Sequence, residues 1–258
     1  MKKNTVKYLA LVVLAAVILL LAGLTTGIPT ELLSFFAFAL PVLIGHGFAL
    51  TSRREREEEM GVALPPDRSF CPEKKDLLAL LPIIAPTVGL ILLVSVLTGN
   101  LLVWMGLTEP ALPEGSFVAL FFASCLAPAV LEEMLFRYLP LRLIAPHSAK
   151  WAVMLSAVTF AVFHGSLFSI PYAFVAGLIF MSVDIATGSV IPSFILHLVN
   201  NTLSVPILTS EPSRGALIAY YSVISALSIL GVAVVFIKRK EYCAAFKVGA
   251  ERISYGRK

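Results

Sequence analysis

The sequence predicts an all-α, polytopic membrane fold of eight transmembrane helices with both termini in the cytoplasm, on three observations. Of its 258 residues 58% are hydrophobic and only 14% charged, against about 25% charged in ordinary soluble domains. Mean hydropathy is +0.90 and is carried by repeated apolar runs of about 20 residues, the length at which a helix crosses a bilayer core. Third, the basic residues cluster between particular runs. The alternation of apolar and polar positions that marks a membrane barrel is absent.

The apolar runs fall at Tyr8–Thr26, Leu32–Leu50, Leu77–Leu97, Phe117–Leu139, Trp151–Ile170, Tyr172–Ala186, Val190–Leu208 and Leu217–Ile237. With the amino terminus inside, Lys and Arg number 3 before the first span, 6 in the 51–76 loop, 3 around 137–150 and 7 after 237. Only Arg214 of the 20 falls outside, and one span more or fewer spoils the pattern, so the positive-inside rule selects eight. The formal net charge of +4 is dispersed over loops beside spans, which argues against a nucleic-acid partner. Lys238, Arg239 and Lys240 are placed to meet anionic head groups. Cys71, Cys125 and Cys243 have neither a disulfide framework nor metal-ligand spacing.

In chain order, Lys2, Lys3 and Lys7 precede an apolar run too long for a signal-peptide core, so the first span is read as uncleaved. The second contains Pro41 and, near its inner end, His46, read as a hydrogen-bonded packing residue. Arg53–Glu59 mixes both charge signs and reads as a solvated helical extension that Pro65-Pro66 breaks. Residues 1–76 thus form two spans and a charged cytoplasmic loop. Residues 77–116 are a third span, kinked by Pro82 and Pro86, with an outer loop from Thr98 that places Trp104 at the interface. Residues 117–208 are a core of four spans, and 209–258 a last span with a basic tail. No internal repeat marks a transporter.

The core holds the chemistry. Glu132, Glu133 and Arg137 lie inside an apolar run, where a charged side chain costs at least ~2.5 kcal/mol and marks a site facing the bundle interior. Glu133 and Arg137 are four apart and share a helical face, so they are placed to pair, either as a buried lock or as part of a site. Glu132 stands about 100° round the helix, leaving it free: two identical carboxylates receive different environments, as acid/base pairs do. Phe160 and His164 share a face of the fifth span, and His197 and Asn201 a face of the seventh. At about 1.5 Å rise per residue, Glu132 and His197 each lie roughly 10 Å inside the cytoplasmic end, Asn201 roughly 16 Å and His164 roughly 20 Å. These groups can meet around one water. Glu132 would serve as general base, His164 would hold the water in line, and His197 with Asn201 would donate to an oxyanion. The rival is a zinc-bound water held by Glu132, His164 and His197. Ser156, Thr159, Ser166 and Thr202 lack nucleophile–base spacing.

Together these residues resemble the CAAX-processing and bacteriocin-processing family of intramembrane endopeptidases (CPBP, or Abi), the type 2 CAAX prenyl proteases in particular. Three motifs stand in order: Glu-Glu-x-x-x-Arg at Glu132, Glu133 and Arg137; Phe-x-x-x-His at Phe160 and His164; His-x-x-x-Asn at His197 and Asn201. The lead-in Thr187–Pro192 is also similar, and the resemblance covers Phe117 to Leu208. It implies an eight-span protease in which Glu132 and His164 activate water and His197 and Asn201 hold the oxyanion. Glu133, Arg137 and Phe160 would then serve architecture or the substrate groove. Family members are often labelled metal-dependent; some trim prenylated proteins, others are tied to bacteriocin immunity or act as non-catalytic scaffolds. The expected partners are the lipid bilayer, as in a prokaryotic plasma membrane, and a membrane-anchored protein or peptide substrate. The preferred mechanism requires no cofactor, with zinc the alternative.

Overall fold

A computed structural model describes residues 1–24, 30–108, 116–209 and 213–254. Every regular element among them is helical. They form α1 (Lys2–Leu24), α2 (Thr30–Met60), α3 (Lys74–Trp104), α4 (Phe117–Leu143), α5 (Ala149–Phe163), α6 (Ile170–Thr187), α7 (Ile191–Thr209) and α8 (Arg214–Ile253). Stretches of α1, α2 and α3, all of α4 and α6, and α8 are long and apolar enough to cross a membrane, six in all among the described residues; α5 is apolar but has 15 residues. The protein is a multi-pass integral membrane protein.

The core forms around the second half of α4, which is enclosed on all sides. Leu135, Phe136, Arg137, Tyr138 and Leu139 are consecutive and fully or almost fully buried, as a helix at the centre of a bundle must be. Around it α1 contributes Tyr8, Leu11 and Ala15, and Tyr8 shares a 2.8 Å hydrogen bond with Thr159 of α5. Small residues allow close approach where helices lack room for side chains. Gly177 of α6 lies against the Ala157 backbone of α5, and Gly89 of α3 against Leu227 and Ser228 of α8. The outer loop expected from Thr98 starts later, because α3 continues to Trp104, whose side chain is 84% exposed. Residues 109–115 lie outside the described part.

Three segments differ from their expected form. The fifth span was expected to reach Ile170, but α5 stops at Phe163. Gly165 takes φ +65°, Ser166 Oγ accepts the Phe168 N–H at 3.2 Å, and Pro171 opens α6, so the chain turns at His164 instead of crossing it. The tail after Ile237 continues the last helix instead of ending it. α8 continues to Ile253, with Phe246, Ala250 and Ile253 packed on the core and Gly249 against the Ile185 carbonyl of α6. The charged extension of α2 ends at Met60, before the expected break at Pro65-Pro66, and the 61–73 segment is docked on the bundle. Ser69 carbonyl accepts from Val190 N–H at 2.8 Å and from Ser189 Oγ at 2.9 Å. Asp67 pairs with Arg142 at 3.1 Å, and Phe70 stacks on Tyr138. On the other side of Tyr138, His46 has the packing role expected of it, its Nδ1 2.5 Å from the phenol oxygen.

Candidate active site

Two prolines shape α4 where it matters. A proline cannot donate to the carbonyl four residues back, so that carbonyl is released and the helix widens. Pro128 releases Ser124 and Pro140 releases Phe136; wide π-helical turns occur at Phe121–Leu126 and Met134–Tyr138. Both carbonyls take side-chain donors from neighbouring helices. Asn201 Nδ2 of α7 donates to the Ser124 oxygen at 3.4 Å, and Ser156 Oγ of α5 to the Phe136 oxygen at 2.5 Å. The prolines therefore fix α7 and α5 against α4, with Glu132 and Glu133 in the turn of ordinary helix between the two wide segments.

The two glutamates are treated differently. Glu133 is buried; its Oε2 lies 3.4 Å from Arg137 Nε, and its Oε1 accepts from His197 Nδ1 at 2.8 Å. Arg137 is wholly enclosed, with its guanidinium 4.2 Å from the Phe160 ring centre and 5.5 Å from that of Phe180. Its terminal nitrogens meet no acceptor among the described residues, so aromatic faces carry part of its charge. Glu132 keeps a side-chain exposure of 19%, and its Oε2 faces His197 Nε2 at 3.9 Å. One imidazole thus stands between both acids, held by Glu133 through one nitrogen and presenting the other to Glu132. Because the ion-paired carboxylate of Glu133 accepts, Nδ1 carries a hydrogen.

His164 sits at the α5 terminus, half-buried, and its Nδ1–H donates to the Phe160 carbonyl at 2.8 Å, which leaves Nε2 as an acceptor. Phe160 touches three members of the group: its ring centre is 4.6 Å from that of His164 and 5.8 Å from that of His197, and Arg137 lies over its face. The structure brings Glu132, Glu133, Arg137, Phe160 and His197 together, places His164 edge-on against the Phe160 ring, and ties Asn201 to α4 through Ser124. Two contributors were not assigned to the site by the sequence reading. Tyr172 of α6 stacks edge-on to His164, 6.1 Å between centres, and lies within electrostatic reach of Glu132. Asp184, wholly buried, accepts the Ser193 N–H at 3.2 Å and lies within electrostatic reach of Glu133 and Arg137. Only Asp184 gave a signal, as an acid within a span. Among the described residues no three His, Cys, Asp or Glu side chains are grouped as metal ligands, Glu132, His164 and His197 included.

Comparison with curated proteins and with solved structures finds no match. Residues 114–203 match the family model described as Type II CAAX prenyl endopeptidase Rce1-like, an interval that contains all seven motif residues from Glu132 to Asn201. The segment that builds the site is thus similar to the type II CAAX prenyl endopeptidases.

Proposed function

We propose that the protein is an intramembrane endopeptidase that hydrolyses a peptide bond of a membrane-anchored protein or peptide, with all eight helices crossing the bilayer and both termini cytoplasmic. The observation that carries this reading is the unequal treatment of adjacent acids. Glu133 is committed to Arg137 and His197, while Glu132 is partly exposed and faces His197 Nε2. Glu132 takes a proton from water as the water oxygen attacks the scissile carbonyl, and passes it to the leaving amine as the C–N bond breaks. The free Nε2 of His164 accepts the water's other hydrogen and fixes its direction. The oxyanion receives Nε2–H of His197 and an amide hydrogen of Asn201; such donors are worth about 3–4 kcal/mol each. An apolar cleft of about 420 Å³ between α2 and α4 is lined by Phe35, Leu40, Leu131 and Met134 beside Glu132. It would take the lipid of an anchored substrate, such as the prenyl group implied by the family description.

The test is turnover of a panel of anchored peptides, prenylated and unprenylated, by purified protein. Glu132→Gln, which keeps the shape of the side chain, lowers turnover by a factor on the order of 10²–10⁴ without shifting the melting temperature, and a chelator leaves the wild-type rate unchanged. Undiminished turnover by the variant overturns the mechanism.

A further inference from the structure

At the end of the bundle where the basic residues gather, separate from every residue of the protease site, lies a second polar cleft of about 210 Å³. This is below the ~300–1,000 Å³ of sites for drug-sized ligands. Four parts of the chain converge on it with arginines: Arg53 and Arg56 from α2, Arg68 from the docked 61–73 segment, Arg142 from the end of α4, and Arg252 from the end of α8. Among the described residues Asp67 is the only acid in the lining.

Structural duties account for part of this charge. Arg53 pairs with Glu57 at 3.1 Å and donates to the Leu64 and Pro65 carbonyls, both at 2.7 Å. Arg68 pairs with Glu73, and one terminal nitrogen of Arg142 with Asp67 at 3.1 Å. Arg252 has no such structural duty among the described residues, and Arg142 is only partly engaged. Arg142 Nε is buried and meets no acceptor among the described residues, and Arg252 is exposed at the rim. Arginine forks match tetrahedral oxyanions, and basic pockets at this membrane level are suited to phosphate head groups.

We propose that this cleft binds a phosphate-type oxyanion, supplied as the head group of an anionic phospholipid or as free phosphate, coordinated by Arg142 and Arg252. An occupant joins α4, α6, α8 and the 61–73 segment at one point, because Thr187 and Gly188 also line the cleft.

Arginine modification by phenylglyoxal, located by mass spectrometry on the full-length protein, tests it. One arm is delipidated protein in neutral detergent with inorganic phosphate, against chloride at equal ionic strength. The other is protein in phosphatidylcholine nanodiscs with or without phosphatidic acid. At least a fivefold slowing at Arg142 and Arg252 is expected, with exposed Arg214, at the other end of the bundle, as the unprotected control. Protection by inorganic phosphate in detergent assigns a free-phosphate site; protection only with phosphatidic acid assigns the head group. Arg252→Gln, a change at an exposed position, weakens phosphate-dependent protection of Arg142 by at least fivefold. Equal modification rates in all conditions, or protection unaltered in Arg252→Gln, overturns the proposal. Proteolysis is not the readout, so this result stands apart from the assignment of the protease site.

Discussion

Glu133 answers to two cations or potential cations at once, and this makes Arg137 the residue whose removal should be felt most. The pair is enclosed in the core, where breaking one partner leaves an uncompensated charge and costs about 3–5 kcal/mol. Arg137→Met should therefore lower the melting temperature sharply in detergent. Glu133→Gln added to it should recover much of that loss, because a neutral amide beside an apolar side chain leaves no orphaned charge. The double variant should stay inactive, since His197 loses the ionised partner that holds its Nδ1. A double variant as unstable as the single one would show that the ion pair is not what holds this region. At this scale much was legible. The i,i+4 spacing put Glu133 on Arg137, as found at 3.4 Å, and left Glu132 apart. The bond from His197 to Glu133 was not legible, because it depends on the rotation of α7 against α4, which sequence spacing within either helix does not encode.

The helix α4 owes its geometry to Pro128 and Pro140, and the consequence of one is testable. In Pro128→Ala the restored N–H competes with Asn201 for the Ser124 carbonyl, closing the wide turn. The melting temperature should hold or rise, because a backbone hydrogen bond is gained, while turnover falls by a factor on the order of 10–100 as Asn201 loses its fixed position. Asn201→Ala should cost at least as much, and the two changes together little more than Asn201→Ala alone, the non-additivity expected of residues acting through one contact. Additive losses would separate Pro128 from Asn201. The prolines are plain in the sequence, but a proline in a transmembrane helix reads only as a kink until the acceptors of the freed carbonyls are known. The early end of α5 was announced by Gly165, whose positive φ stops the helix beside His164. An apolar run continuing to Ile170 masked it.

For the whole molecule, hydropathy pointed to a multi-pass helical protein, and six helices among the described residues are long and apolar enough to cross a membrane, because burial in lipid demands long apolar helices whatever their packing; it gave no sign that the two segments at the basic end dock on the core. Tyr242, Phe246, Ala250 and Ile253 recur at helical spacing among the basic residues of the tail, and this stripe docks α8 onto the core; the charges around it made the segment look solvated. The docked 61–73 segment gave less signal, since its ties to Ser189, Val190 and Arg142 run through backbone and a single aspartate. Both segments lie at the same end of the bundle, and each carries an exposed cysteine, Cys71 in one and Cys243 in the other, while Cys125 is buried in α4. If the positive-inside rule sets the direction of insertion, a membrane-impermeant maleimide should label neither exposed cysteine in intact cells and both in opened membranes, with Cys125 protected throughout. Cys71→Ser and Cys243→Ser identify each labelled site. Labelling of both from outside would invert the proposed orientation, and labelling of one from each side would require an odd number of crossings between residues 71 and 243 and so overturn the proposed eight-span topology, which places six there.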